Sequence, residues 1–106
     1  MKIKVENSDV RDFYQLKVGD KITNARYVYT DNIKMDEYLA TEFGRDVPCH
    51  IVIAEPNSEE DTGKAIQIWI DGEWRVWTSP VKSIRRNKDE LIIITASGRT
   101  YQFCLY

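Results

Sequence analysis

Apolar residues in this 106-residue chain recur mostly at every second position, in short runs bounded by glycine, proline, asparagine or aspartate. That is the pattern of short, half-buried strands joined by tight turns. Ile3 and Val5 alternate with Lys2, Lys4 and Glu6 and predict a short first strand. Ser8 stands where a hydroxyl can cap a helical turn, and Val10, Phe13 and Tyr14 would give that turn one apolar face. Leu16-Lys17-Val18-Gly19-Asp20 reads as a turn delivering a strand from Lys21 to about Tyr29. Within it Ile22, Ala25, Tyr27 and Tyr29 break strict alternation, which predicts a bulge near Thr23-Asn24.

The period then changes. Met35, Tyr38, Leu39 and Phe43 are spaced for one face of a helix over 34–43, and Gly44 follows where a left-handed cap belongs. So short a helix needs a sheet to dock on. Beyond Pro48 the residues Cys49-His50-Ile51-Val52-Ile53-Ala54 read as a strand that Pro56 ends. Glu55 to Gly63 is an acidic, turn-rich loop in which nothing is expected to pack.

Two hairpins follow. Ala65–Ile70 and Glu73–Trp77 flank Asp71-Gly72. A two-residue loop would pair Ile70 with Glu73 and Ile68 with Arg75, mixing charge into the isoleucine face. A three-residue loop of Ile70, Asp71 and Gly72 pairs Ile68 with Trp74 and Ile66 with Val76, and is the register expected here. The opposite face then carries Gln67, Trp69, Glu73, Arg75 and Trp77. Ser79-Pro80 leads into a short strand over Val81–Arg86, and Asn87-Lys88-Asp89 turns the chain. Leu91–Ala96 and Arg99–Leu105 form the last hairpin about Ser97-Gly98. A two-residue loop there pairs Ile94 with Tyr101 and Ile92 with Phe103 on one side. On the other it pairs Thr95 with Thr100, Ile93 with Gln102 and Leu91 with Cys104.

The expected fold is therefore mainly β, a β-rich α+β domain of seven to eight short strands with one or two short helices. It takes the form of a strongly bent antiparallel sheet or a small barrel of the SH3, Sm or OB kind; an open sheet with a helix on one face is the alternative packing. Length supports one domain over 1–106. Apolar residues make up 42% and charged residues 30%, enough for one core without metal or disulfide staples. No apolar run approaches the roughly 20 residues of a membrane span, and Met1–Glu6 lacks a signal-like apolar stretch, so the expected compartment is the cytoplasm. Residues 1–61 carry 8 Lys/Arg against 13 Asp/Glu, a net of −5; residues 62–106 carry 7 against 4, a net of +3.

Catalytic and cofactor chemistry finds little purchase. His50 is the single histidine, and its neighbour Cys49 points to the other face of the same strand, which rules out a local Cys–His pair. Cys49, His50 and Cys104 lack the paired spacing of a zinc site. Glu55, Glu59, Glu60 and Asp61 lack the order of a calcium loop. Phosphate-cradling glycine motifs are absent, and Ser79 has no glycine elbow. No metal, cofactor or catalytic set is expected.

Two surfaces remain. Trp69 and Trp77, with Gln67 and Arg75 between them, would form an aromatic hairpin face suited to a protein partner. Whether the 34–43 helix covers that face is open at this level. Lys82, Arg85, Arg86 and Lys88, with Arg99 and Lys64 in reach, would form a basic turn able to contact the phosphates of a nucleotide or single-stranded nucleic acid. At Trp77-Thr78-Ser79-Pro80-Val81-Lys82-Ser83-Ile84, Leu91-Ile92-Ile93-Ile94-Thr95 and Arg99-Thr100-Tyr101, the chain resembles short uncharacterised small-barrel proteins of bacteria, prophages and phages. These end in a Thr-Ser-Pro-Val joint and a final hairpin. The resemblance covers about thirty residues and implies a noncatalytic barrel in a bacterial or phage setting. The functional expectation is a binding module that docks on another protein, such as a host-defence component, through the aromatic face. A nucleotide or single-stranded nucleic acid is the alternative ligand. No membrane association is expected, and assembly into several copies is compatible with a small barrel.

Overall fold

The computed structural model describes residues 3–4 and 15–106. Ile3 is buried in the core, but neither it nor the exposed Lys4 belongs to a strand, where a first strand was expected. The rest of that strand, the Ser8 turn and the Val10-Phe13-Tyr14 face lie outside the described residues. The elements are β1 (Lys21–Thr30), α1 (Ile33–Phe43), β2 (Val47–Ala54), β3 (Ala65–Ile70), β4 (Glu73–Trp77), β5 (Val81–Asn87), β6 (Glu90–Thr95) and β7 (Thr100–Leu105).

All seven strands form one antiparallel sheet in the order β4-β3-β2-β1-β7-β6-β5. Six antiparallel steps separate β4 from β5, so these two edges run in the same direction. They are also consecutive in sequence, with only Thr78-Ser79-Pro80 between them. Residues 73–87 are thus one long strand broken at its middle, the first half pairing with β3 and the second with β6. That requires a sheet bent until both edges reach the same joint. There the Val81 N–H donates to the Lys64 carbonyl at 2.7 Å, just before β3, and the Ala96 N–H to the Pro80 carbonyl at 2.7 Å, just after β6. The sheet nonetheless stays unclosed. Of the expected forms, the strongly bent sheet is the one observed, without full closure into a barrel.

Bulges supply the bend. β1 shifts register between Ile22 and Ala25 against β2, at the expected Thr23-Asn24, and again between Tyr27 and Tyr29 against β7. The Asn24 side chain at the first bulge accepts from the Lys4 N–H at 2.9 Å and donates to the Tyr106 carbonyl at 2.9 Å. At the second, Arg45 donates to the Val28 carbonyl at 3.0 Å. β2 begins two residues earlier than expected, with Pro48 opposite Arg26; β3 pairs only with His50–Ala54, so the missing proline N–H interrupts no central ladder.

Both hairpin registers differ from expectation, for one reason. The first turn is two residues, with Ile70 opposite Glu73, because Asp71 (φ 55°) and Gly72 (φ 78°) both adopt left-handed backbone. That is the primed turn favoured by Asp-Gly. A bulge at Arg75 then restores the core pairing, setting Ile68 opposite Val76 and Trp69 opposite Trp74. The last hairpin has a three-residue loop, Ala96-Ser97-Gly98, closed by the Thr95 N–H on the Arg99 carbonyl at 2.9 Å, with Gly98 at φ 85°. A primed two-residue turn would have needed left-handed backbone at Ser97 as well, which serine disfavours. The one-residue slip exchanges the faces. Ile93 now opposes Tyr101 and Leu91 opposes Phe103 in the core, while Ile92 and Ile94 point outward.

The inner face of the sheet is isoleucine-rich, and Tyr27 meets Phe103 edge-to-face at 6.5 Å. α1 docks on this inner side. Asn32 caps it by accepting from the Met35 N–H at 3.3 Å, and Leu39 is fully buried; Tyr38, expected on the docked face, is largely exposed. The Asp36 carboxylate accepts from the Tyr27 hydroxyl at 2.6 Å and from Arg45 at 2.8 and 3.1 Å. Arg45 above all, with Tyr27 and the Thr30 N–H, holds this carboxyl down to about 2 against the opposing effect of burial. Burial, and the carboxylate beside it, push the Tyr27 phenol well above its ordinary value.

Asp36 is depressed in the folded state, so its contribution is present above the unfolded value near 4 and is lost as pH falls through about 2. Asp36→Asn is expected to lower unfolding stability at pH 7 by about 1.5–3 kcal/mol in urea titrations, with the difference narrowing toward pH 2. At the joint, the buried Thr78 hydroxyl accepts from the Ile66 N–H at 3.1 Å and donates to the Ser79 carbonyl at 2.8 Å. Thr78→Val keeps the shape and strands that N–H; a loss of about 1–3 kcal/mol is expected in the same measurement.

Candidate functional site

Strand register builds the outer face directly. One row across the sheet runs Lys21, Val52, Gln67, Trp77 from β1 to β4; the next sets His50, Trp69 and Trp74 opposite one another on β2, β3 and β4. Every one of these residues is at least partly exposed, on the face turned away from Ile66, Ile68 and Ile70. Since α1 packs on the inner face, the helix is not what borders the tryptophans, which settles the question left open by the sequence.

The three indoles are held differently. Trp69 Nε1 donates to Gln67 Oε1 at 2.9 Å, and Trp77 Nε1 donates to the Glu55 carbonyl at 3.0 Å. The second bond corrects the expectation that nothing in the acidic loop packs. Trp74 is 52% exposed and meets Trp77 edge-to-face at 6.0 Å. Sequence reasoning placed Trp74 in the core opposite Ile68. The signal that could have found it was Asp71-Gly72 itself, because a two-residue turn sets position 74 on the Trp69 side.

Arg75 is not among the tryptophans. As the bulged residue it turns aside: its guanidinium lies 4.9 Å from the Phe43 ring centroid, its Nε donates to the Ile70 carbonyl at 3.2 Å, and it pairs with Glu73 at 3.1 Å. Gln67 does sit on the outer face, as the support of Trp69. A groove of about 290 Å³ adjoins Trp69 and is also lined by Lys21, His50, Asp71 and Tyr106. The Arg26 guanidinium lies 4.7 Å from the Tyr106 ring centroid.

The basic residues sit elsewhere. Lys82, Arg85, Arg86 and Lys88 are exposed on edge strand β5 and its turn, with five strands between β5 and β4 in the sheet order. Arg86 donates to the Lys88 carbonyl at 3.1 Å. Arg99 is exposed at the opposite end of β6, beside Thr95, whereas Arg86 opposes Leu91. Four residues of strand, about 13 Å, separate those positions. The Lys64 ammonium is engaged with the Leu16 carbonyl. The five cations therefore do not converge on one phosphate-sized site. A row of charge along a free edge has a structural use, since it discourages another strand from adding there.

Cys49 is buried, and burial pushes its thiol up to about 12, while His50 points outward from the same strand. Among the described residues no group of three His, Cys, Asp or Glu could hold a metal ion, and no helix is long and apolar enough to cross a membrane. Both cysteines are free thiols, and Cys104 is only partly buried. A thiol-disulfide reagent at pH 8 is expected to titrate Cys104 in the folded protein and Cys49 only after urea is added; Cys104→Ala should remove the fast phase. No protein-family model, no curated protein and no solved structure matches the chain.

Proposed function

We propose that this chain is a non-catalytic binding module that docks on another protein through the outer face of β3 and β4, with Trp74 as the anchor. The observation that carries the reading is an exposed tryptophan on an edge strand, braced edge-on by Trp77 and flanked by Trp69. Trp77 and Trp69 have their indole N–H groups tied into the fold, so the platform is rigid before a partner arrives. Covering the free half of one tryptophan removes on the order of 100 Å² from water, which favours association by about 2.5 kcal/mol. An exposed ion pair on β5 would add about 0–1 kcal/mol. The aromatic face therefore outweighs the basic edge as a source of affinity.

The setting attached to this reading is that of a cytoplasmic bacterial or phage accessory protein, with inhibition of a host-defence component as its use. It rests on the resemblance at residues 77–101. Recognition of a nucleotide or single-stranded nucleic acid would need stacking and phosphate contacts in one place, whereas Arg85 and Arg86 lie beyond the joint from the tryptophans, on the strand half that pairs with β6.

Proteins retained from cells that express the chain, quantified for wild type and variants, test the reading. Trp74→Ala is expected to reduce retention of a partner at least thirtyfold, with unchanged circular dichroism, and Arg85→Ala/Arg86→Ala to leave it intact. Partners indifferent to both Trp74→Ala and Trp77→Ala, or salt-dependent oligonucleotide binding abolished by the arginine pair, would overturn it.

A further inference from the structure

The acidic loop over 55–63 borders the tryptophan face, and its charge is unanswered. Trp77 Nε1 reaches the Glu55 carbonyl at 3.0 Å, and the Trp77 ring meets that of Trp74 at 6.0 Å, so the loop adjoins the exposed indole. Glu55, Glu59 and Asp61 line one concavity of about 430 Å³. No lysine or arginine occurs between 55 and 63, and Lys64, which follows, directs its ammonium to the Leu16 carbonyl. Glu55, Glu59, Glu60 and Asp61 are all exposed, and their carboxylates have no hydrogen-bond or ion-pair partner among the described residues.

The other carboxylates at this face are balanced. Glu73 is paired with Arg75 at 3.1 Å, and Asp71 shares its groove with Lys21. The unbalanced charge beside Trp74 and Trp77 is therefore the loop's, and it is complementary to a cation. Trp74 suits the same ligand. Its half-exposed indole face attracts a guanidinium through the ring quadrupole, and the flat guanidinium covers the ring as it does so. From the Trp74 ring to the start of the loop is on the order of 10 Å, about three residues of extended chain. One short segment can reach both.

We infer that the occupant of this face is an extended basic segment of the partner protein, which lays an arginine over Trp74 and sets a second cation among Glu55, Glu59 and Asp61. The inference rests on the protein-docking reading above and names the chemistry of its partner. A nucleic acid could stack on the same rings, but these carboxylates, on a chain of net charge −2, repel a polyanion.

The probe is a displayed library of random twelve-residue peptides selected on the wild-type chain. Enriched peptides are expected to carry an arginine and a second Arg or Lys about three residues away. Synthesised, they should bind at least thirtyfold more weakly to Trp74→Ala. They should bind about tenfold more weakly to Glu59→Lys/Asp61→Lys, with each variant verified as folded by circular dichroism. Affinity should also fall as salt is raised from about 50 to about 300 mM, because exposed ion pairs are screened. Loss on Trp74→Ala with no change on Glu59→Lys/Asp61→Lys would leave the docking reading standing and overturn the basic occupant. Enrichment of acidic or uncharged peptides, or no enrichment, would overturn it too. Loss on the charge reversal with no change on Trp74→Ala would overturn both readings. Self-association of the chain in sedimentation, abolished by Glu59→Lys/Asp61→Lys and equally by Arg85→Glu, would give the loop to a second copy and overturn the inference as well.

Discussion

Residues 73–87 have to serve as both edges of one sheet, and the rest of the structure follows from how they do so. Pro80 has no N–H to offer either neighbour, which lets the strand leave β3 and join β6 without abandoning a ladder bond. Thr78 replaces part of the interrupted ladder with its hydroxyl, and Ser79 holds the far side through Ser97, whose hydroxyl lies 3.0 Å away and bonds in turn to Thr95 at 3.1 Å. Three residues thus bind the start of β3 to the end of β6. The bend they impose wraps the isoleucine face inward, turns the tryptophan face outward, and leaves α1 to fill the inner side.

The two edges are finished in opposite ways. β5 displays lysine and arginine along its length, a poor template for another strand. β4 carries the bulge, the Arg75 contact with α1 and the exposed indole of Trp74. The charges of β4 are paired with each other, Arg75 with Glu73 at 3.1 Å, rather than spread along the strand. This asymmetry gives the docking reading its direction: one edge is closed to company by charge, and the other presents the surface on which burial gains most.

Much of this was legible in the sequence. The helix and its Gly44 end, the bulge at Thr23-Asn24, and the positions of β3 to β7 all follow from periodicity and turn residues. Register was harder, because it depends on how many residues a loop consumes. Keeping Arg75 out of the core suggested a longer loop, yet aspartate tolerates left-handed backbone, so the turn stayed short and a bulge removed the arginine instead. Serine at 97 does not share that tolerance, and the last loop lengthened. At the site, Trp69, Trp77 and Gln67 were found by alternation. Trp74 was missed and Arg75 misplaced through the same bulge. The groove, assembled from β1, β2, the hairpin tip and Tyr106, has no signature in any single stretch of chain.

The bulge at Arg75 also bears on descent. It is the extra residue between the Ile68–Val76 and Trp69–Trp74 pairs, so a chain lacking it would keep every β4 residue on its present face. Loss of a different β4 residue would keep the downstream faces only by drawing Arg75 into the ladder in its place. Arg75 is thus the one place in β4 where length can drift among relatives while the tryptophan surface is preserved, and a four-residue version of this strand is the form in which distant kin would be recognised.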